Sequence, residues 1–539
     1  MLDKSKRYMK TCYALDNLST LQGKRIYFDS MAEMVLVRAQ EIPDHVHSYY
    51  YDEVVTYAQT NERSNKVANY LKKKGLHKGD IVSVMIMNSP AIYYTMFGAQ
   101  KLGCIAGAIN YMLKGPEIAY ILDDSKPKVA FVSSEFMPEF ARGYEMAKHK
   151  PIVVEEVTDV QHDARIAQTT LAEVLSGYPA DEALIPQSLS DPFLLLYTSG
   201  TTGYPKGVLL SNGNQFANCK DMARFGVTNP DDVFMIVAPM FHTNPLCVWT
   251  YPYTYQGLSL VIRKRFSPDE FWPSLQRWGV TIVWGVPAMY MYVLNQIDPT
   301  VIDHSKLKLR YAFSGGAPIP PELIRDFRDK FSVQVIDGYG LTEVTGVSTS
   351  SLGAPLKTET IGQHLFEQEV EIMDDNNNVL PYGEVGEVCM KGEAVMIGYL
   401  NKPEATAETI KEGWLHTGDL GYMDDEGYLF FTGRKKEMIN RGGENIYPRE
   451  IERVLEGHPK IAEVAVVGVP DPALGERVKA CVVLKEPQSM MESDIKAYLE
   501  DKIAKYKLPE FVELYSALPR NPSGKVLRAE LKTTAPGQE

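Results

Sequence analysis

From about Val54 onward the chain alternates amphipathic stretches with short apolar runs. Apolar residues at helical spacing predict helices near Ser64–Lys74 and at Tyr93–Lys101. The Val/Ile-rich runs Ile81–Met87 and Ile105–Ile109 that follow each of them predict strands. Similar runs recur at Val129–Val132, Phe193–Tyr197, Val233–Val237, Leu258–Ile262, Thr281–Trp284 and Leu309–Phe313, each followed by helical or loop sequence. Strands joined by crossover helices pair in parallel, so the alternation predicts an α/β fold with doubly wound, mostly parallel sheets. Pro320–Phe331 reads as a helix with Pro at its start and Leu323, Ile324, Phe327 and Phe331 on one face.

The texture changes after about residue 432. A helix at Pro448–Glu456, strands at Val464–Val469 and Val478–Leu484, and a helix at Asp494–Tyr506 with Ile495, Tyr498, Leu499 and Ile503 at helical spacing predict a small α+β unit. The expected organisation is a large N-terminal domain, 1–435, and a small C-terminal domain, 436–539, with Gly433-Arg-Lys-Lys436 as the polar join.

Composition narrows the class. The 539 residues include 45% apolar and 23% charged side chains, which excludes a disordered chain, a collagen or a disulfide scaffold. Asp and Glu outnumber Lys and Arg by 69 to 56, a formal net charge of −13, and the basic residues are scattered, so no nucleic-acid partner is expected. Cys12, Cys104, Cys219, Cys247, Cys389 and Cys481 show no CxxC spacing, as suits reduced thiols. Met1–Lys10 lacks the apolar core of a signal peptide, and the most apolar stretch, Ala91–Ala108, is interrupted by Gln100 and Lys101, so no transmembrane segment is expected. The expectation is a cytoplasmic protein acting on a small molecule, and a homodimer is compatible with it.

The segment Tyr197-Thr-Ser-Gly-Thr-Thr-Gly-Tyr-Pro-Lys-Gly207 carries the strongest chemical signal. It follows an apolar strand and precedes a helical stretch, a position suited to phosphate binding. Gly200 and Gly203 let backbone approach an anion, Thr198, Ser199, Thr201 and Thr202 supply hydroxyl donors, and Lys206 supplies charge. The spacing is not that of a Walker A loop, and no G-x-G-x-x-G follows the first strand.

This string resembles the signature of the adenylate-forming enzymes, the superfamily of acyl- and aryl-CoA ligases, amino-acid adenylation domains and firefly luciferase. Ser314-Gly-Gly-Ala-Pro318, Asp337-Gly-Tyr-Gly-Leu-Thr-Glu343, Thr417-Gly-Asp419, Gly433-Arg-Lys-Lys-Glu437 and Pro519-Arg-Asn-Pro-Ser-Gly-Lys525 resemble the later motifs of that superfamily, in its order, so that the resemblance covers roughly residues 50 to 528.

The resemblance implies roles that elementary chemistry supports. Tyr339 stacks on adenine while Gly315, Gly316, Ala317 and Gly338 leave room for it, and Asp337 lies in the same motif. Thr342 and Glu343 put a hydroxyl and a carboxylate beside the phosphates, with Glu343 as the magnesium ligand. Asp419 is the ribose ligand, because one carboxylate accepts from both vicinal hydroxyls, and Arg434 is a second sugar contact. Lys525 bridges the substrate carboxylate and the α-phosphate, where an ammonium offsets the repulsion between two anions. Lys525 falls in the small domain and the phosphate loop in the large one, so domain motion about a hinge at Lys436 is implied. Arg441, Gly442, Gly443 and Glu444 match the loop beside the pantetheine channel, where two glycines let a narrow arm pass.

Pro239-Met-Phe-His-Thr-Asn-Pro-Leu246 resembles the aromatic motif that lines the acyl pocket. His242 stands where amino-acid-activating relatives carry Asp, and Val233–Pro268 contains no Asp or Glu, so a substrate ammonium would have no counter-charge. Leu246 replaces the Trp that gates the acyl tunnel of some long-chain relatives. Trp284, Val286, Met289, Gly316, Val344 and Gly346 complete an apolar pocket. The sequence therefore predicts an AMP-forming ligase that uses ATP, Mg2+ and coenzyme A to convert an apolar acyl or ring carboxylate to its thioester. Its rivals are an enzyme that hands the adenylate to a carrier protein and a non-catalytic nucleotide-binding protein on the same scaffold.

Overall fold

A computed structural model of the chain describes residues 14–158, 166–198, 205–225, 228–295, 302–316, 319, 321–352, 357, 360–441, 444–472, 474–485, 487–500, 502–520 and 526–532. The chain divides into two compact units. The first runs to Val370 and includes Met390–Leu415. The second is Glu371–Cys389 with the chain from His416 onward.

Two large sheets form the first unit. In one, the strands Gln334–Tyr339, Tyr311–Ser314, Ile282–Gly285, Val233–Ile236, Ser259–Ile262 and Val46–Tyr50 lie side by side and all parallel, with antiparallel edges. In the other, Pro192–Thr198, Ile105–Ala108, Ile81–Met85, Val129–Ser133 and Ile152–Glu156 are parallel neighbours. The predicted alternation is thus borne out as two doubly wound sheets. Such strands are buried on both faces, which is why they read as continuous apolar runs. Trp272, Leu275, Val283, Tyr290, Phe327 and Phe331 pack on the first sheet, and Ile118, Leu122, Met137, Phe140 and Val153 on the second.

Helix Pro321–Phe331 buries Leu323, Phe327 and Phe331, as its periodicity predicts. The helix expected from Ser64 starts earlier, spanning Tyr57–Lys73. Its start is fixed by a capping box in which Thr56 Oγ1 accepts from Gln59 N–H and Gln59 Oε1 accepts from Thr56 N–H. Helix Pro90–Lys101 is buried all round, so the most apolar stretch of the sequence is core. Among the described residues no helix is long and apolar enough to cross a membrane.

One local expectation changes. The segment Tyr197–Gly207 is not followed directly by a helix. Lys206–Ser211 is a strand that returns antiparallel along Pro192–Thr198, and helix Asn212–Arg224 comes only after it. Val208 and Leu210 are buried on this returning strand, which decides the conformation.

The second unit carries a five-stranded sheet ordered Glu444–Ile446, Ile439–Arg441, Gly475–Leu484 and Ile461–Asp471, with Phe511–Tyr515 parallel to Gly475–Leu484. Ile451, Leu455, Val466, Val482, Ile495 and Leu499 form its core. The helix expected to reach Tyr506 spans Glu492–Glu500. Ala504 is already extended (ψ 145°), a short turn follows at Lys505–Lys507, and Pro509 forbids Leu508 the helical conformation.

Candidate functional site

Parallel strands present their C-terminal ends on one edge of a sheet, where ligands of open α/β folds bind. Here Ser314 pairs with Asp337 and Gly285 with Ser314, so Val286, Gly315, Gly316 and Gly338–Tyr339 emerge together. Close approach explains Gly315 and Gly340, whereas Gly316 has open space around it and a φ of +80°. A Cβ on Gly315 would sit 3.0 Å from Gly338 O and 3.7 Å from Trp284 Nε1, and one on Gly340 would meet Gly346 O at 2.1 Å. Asp337 donates its N–H to Ser351 Oγ at 2.9 Å and accepts from Gly338 N–H at 2.8 Å. Desolvation pushes its carboxyl up to about 7, against the pull of that Gly338 bond.

After Tyr339 the chain makes one tight turn, Thr342–Val344, ended by Thr345 in the left-handed region (φ 60°). A buried β-branched residue there is strained, and a 2.7 Å bond from its Oγ1 to Ala394 O holds it. That turn aims Glu343. Tyr399 Oη donates to Glu343 Oε1 at 2.9 Å, and the Tyr399 ring lies 4.7 Å beneath Lys206 Nζ. One aromatic residue thus joins the expected metal ligand to the expected phosphate lysine. Tyr399 reaches this place because Gly398–Tyr399 adds to the edge of Lys206–Ser211, with Leu400 N–H bonded to Gly207 O at 2.7 Å. The base of the phosphate segment is braced by Tyr197 Oη on Asp124 (2.7 Å) and Tyr120 Oη on Pro205 O (3.2 Å). Ser199, Gly200, Thr201, Thr202 and Gly203 lie outside the described residues, as do Ala317, Gly442, Gly443 and Lys525.

The acyl motif is tied into the same edge. Thr243 and Thr342 hydroxyls are 2.7 Å apart. Asn88, fully buried, donates to Ala238 O (2.7 Å) and Arg263 O (3.2 Å) and accepts from Met240 N–H (2.8 Å), which fixes the loop leading to His242. The half-buried His242 ring packs on Phe241 at 4.3 Å. Asn244–Thr250 is a π-helical stretch that continues as helix Tyr251–Gln256. Pro252 has no N–H to give to Cys247 O, and Gln215 Nε2 supplies that bond at 2.8 Å. Leu246 and Val248 are buried on this stretch, and a Cβ on Gly346 (φ +117°) would meet Val248 Cγ2 at 2.5 Å.

In the second unit, Asp419 and Arg434 are register partners on the strands Trp414–Met423 and Leu429–Arg434, with Arg434 Nε 3.1 Å from Asp419 Oδ1. Asp419 is 3% exposed, so a carboxylate there is held for a donor rather than for solvent.

Residues 36–400 match the AMP-binding enzyme family and residues 450–525 its C-terminal domain, described as AMP-binding enzyme C-terminal domain. The chain belongs to the AMP-binding enzymes. It is 34% identical over 491 residues to crotonobetaine/carnitine–CoA ligase of Salmonella agona (strain SL483), with 88% of this chain and 93% of that one covered. It also resembles the Mycobacterium tuberculosis fatty acyl CoA synthetase (32% identity, TM-score 0.75, 93% and 97% covered). A third likeness is to the Bacillus subtilis o-succinylbenzoate CoA synthetase in complex with its acyl-adenylate (31%, TM-score 0.80, 94% and 99% covered). The sequence expectation of an adenylate-forming acyl-CoA synthetase, an acid–thiol ligase, is borne out.

In this AMP-binding enzyme the described coenzyme A candidates, Arg441 and Glu444, lie on two antiparallel neighbouring strands. Arg441 pairs with Glu444 across the strands, and its Nε is bonded to Glu510 at 2.6 Å, while Glu444 is exposed. Lys436 occupies the short turn Lys435–Glu437. Sequence reasoning missed Tyr399, Asn88, Asp124 and Glu387, each of which acts through a partner far away in the sequence and carries no local pattern. Thr243 stood inside the Pro239–Leu246 motif but was not singled out.

Proposed function

We propose that this enzyme is an ATP-dependent carboxylic acid:CoA ligase that activates an apolar acyl or ring carboxylate through an acyl-AMP intermediate. The observation that supports the substrate class is the stretch Val233–Pro268, which contributes the buried Leu246 and, beside Gly346, the buried Val248, and carries no Asp or Glu. Such a wall stabilises hydrocarbon and offers nothing to a cationic substrate.

In the first step a carboxylate oxygen attacks the α-phosphorus of ATP and the bond to pyrophosphate breaks. In the second the coenzyme A thiol attacks the acyl carbonyl, loses its proton to solvent, and AMP leaves. No side chain becomes acylated. Thr198 and Lys206 bind phosphate oxygens, with Ser199, Gly200, Thr201, Thr202 and Gly203 supplying hydroxyl and backbone donors. Tyr339 stacks on adenine against Gly315, Gly316 and Gly338. Asp419 and Arg434 hold the ribose. The hard carboxylate oxygens of Glu343, beside the Thr342 hydroxyl, fit magnesium, which when bound neutralises phosphate charge. Lys525 lowers the repulsion between the two anions, and its domain turns about Lys436 so that Gly442-Gly443-Glu444 and Arg441 serve coenzyme A.

The test is pyrophosphate release with ATP and magnesium across C2 to C16 fatty acids, benzoate, cyclohexane carboxylate, carnitine and several amino acids, each with and without coenzyme A. A preferred apolar acid whose turnover needs coenzyme A supports the reading. A preference for carnitine or an amino acid refutes the substrate class, and turnover indifferent to coenzyme A refutes the ligase.

A further inference from the structure

Within the strand Trp414–Met423, the stretch Thr417-Gly418-Asp419 is held from the side by the strand Gly386–Gly392. Glu387 Oε1 accepts the Gly418 N–H at 2.9 Å, and Thr417 Oγ1 donates to Val388 O at 2.7 Å while accepting from Asp419 N–H at 3.0 Å. The other Glu387 oxygen receives His416 Nδ1 at 3.1 Å and Lys435 Nζ at 3.2 Å, and Lys435 also reaches Asp375 at 2.6 Å. Gly418 has φ +72°, a kink within the strand that only glycine adopts cheaply, and its orientation depends on what bonds its N–H. Glu387 is buried, and the His416, Gly418 and Lys435 donors hold its carboxyl below the usual range against desolvation, so it stays an anion beside the kinked strand.

We propose that Glu387 is a positioning residue for nucleotide binding, which holds the kinked strand segment Thr417–Asp419 where the Asp419 carboxylate meets both ribose hydroxyls. The inference rests on the reading of Asp419 as the ribose ligand. Glu387, Cys389 and His416 also offer one ligand atom each within 4.8 Å of one another, a set that zinc accepts. Two features favour the staple. The Lys435 ammonium stands 3.2 Å from the same carboxylate oxygen, and the buried His416 Nε2 has no hydrogen-bond partner, whereas a metal-ligating histidine gives its second nitrogen an acceptor.

Glu387→Gln keeps the side chain's shape, but a carboxamide has one acceptor oxygen and cannot serve Gly418 on one side and His416 and Lys435 on the other. The probes are AMP and 2′,3′-dideoxy-AMP, titrated calorimetrically into the full-length protein. Wild type should bind AMP at least tenfold more tightly than the dideoxy analogue. Glu387→Gln should lose about tenfold in AMP affinity, as expected for bonds to a charged acceptor, and bind the analogue as wild type does. In an Asp419→Asn background the same change should cost almost nothing, because both act on one contact. Thr417→Val removes the second staple and carries the same expectation, and it replaces the Gln variant if the latter fails to melt cooperatively. Equal weakening of both probes, or unchanged AMP affinity, overturns the proposal. So does a stoichiometric zinc content in the wild-type protein. Equal wild-type affinity for AMP and its analogue instead overturns the ribose role of Asp419.

Discussion

Tyr399→Phe removes one oxygen atom and leaves the ring in place, which isolates a single link in the site. The lost bond is the 2.9 Å donation to Glu343 Oε1, while the cation–π contact of the ring with Lys206, at 4.7 Å, is retained. Burial and the neighbouring Glu343 carboxylate push the phenol above its usual value, so Tyr399 remains a donor throughout the neutral range and pH does not mimic the mutation. A hydrogen bond to a charged group contributes about 1.5–3 kcal/mol, and loss of such an outer partner lowers metal affinity about 10–100-fold. Glu343 has a second constraint, the 2.8 Å bond from Met396 N–H to its carbonyl, which keeps the backbone in place when the phenol is lost. The lower end of that range is therefore expected.

The assay is pyrophosphate release at a saturating carboxylic acid, titrated with MgATP. Half-saturation should rise about tenfold in Tyr399→Phe. Tyr399→Leu also removes the ring from Lys206, which contributes about 0.5–1 kcal/mol, and should add a further factor of about three. Glu343→Gln must exceed both. Wild-type half-saturation in Tyr399→Phe alongside a large defect in Glu343→Gln would show that Glu343 needs no partner to orient it, and the argument from the phenol would fail.

Four other substitutions test separate parts of the molecule. Asp221 is buried and desolvation raises its carboxyl to about 7, so between pH 4 and 7 the folded state binds a proton that the unfolded state has released, and its contribution to stability falls as pH rises through that window. Asp221→Asn should gain on the order of 2 kcal/mol over wild type at pH 8 and lose that advantage towards pH 4; parallel melting curves against pH would refute this. Gly346→Ala places a Cβ 2.5 Å from Val248 Cγ2 at φ +117° and should cost about 1–3 kcal/mol while shifting the preferred acid to a smaller one, so an unchanged acid profile counts against Gly346 as a pocket wall. Arg528 forks between Glu452 Oε1 (2.7 Å) and Val466 O (2.7 Å), next to the Arg520–Val526 bridge that flanks the segment carrying Lys525. Arg528→Lys should slow adenylation about tenfold and spare thioester formation from supplied acyl-AMP, and Lys525→Ala should show the same division with at least a hundredfold loss; equal loss in both half-reactions would remove Lys525 from the adenylation step.

The strands Ile81–Met85, Val129–Ser133 and Val233–Ile236 were legible because burial on both faces leaves runs that are apolar but for Ser83 and the terminal Ser133. The start of helix Tyr57–Lys73 was also written in the sequence, as Thr56 and Gln59 three residues apart, and a periodicity argument that begins with apolar spacing passes over it. The hairpin at Lys206–Ser211 was harder. Six residues with Val208 and Leu210 inward are too short to separate strand from helix by pattern, and what decides them is pairing with Leu196 and Leu194 on another strand. Tyr399 and Glu387 were illegible for a stronger reason. Tyr399 meets Glu343 across 56 positions and Glu387 meets Lys435 across 48, and no local spacing rule connects such pairs.

The same difference separates the nucleotide half of the site from the acyl half. Nucleotide contacts need backbone conformations that few residues adopt, such as glycines at close approaches and a carboxylate after a Gly at φ +72°, so the chemistry leaves its mark in residue identity. An apolar wall asks only for volume. The proposed wall residues Leu246, Val248 and Trp284 fill space that other apolar side chains would also fill, and the placement of the first two depends on the π-helical turn, on Gln215 closing the Cys247 carbonyl and on Asn88 fixing the loop before His242. A one-methyl change at Gly346 or Val248 would alter which acid fits without altering any motif. Acid selectivity is therefore expected to move with substitutions along Asn244–Thr250, while nucleotide affinity is expected to stay unchanged by them.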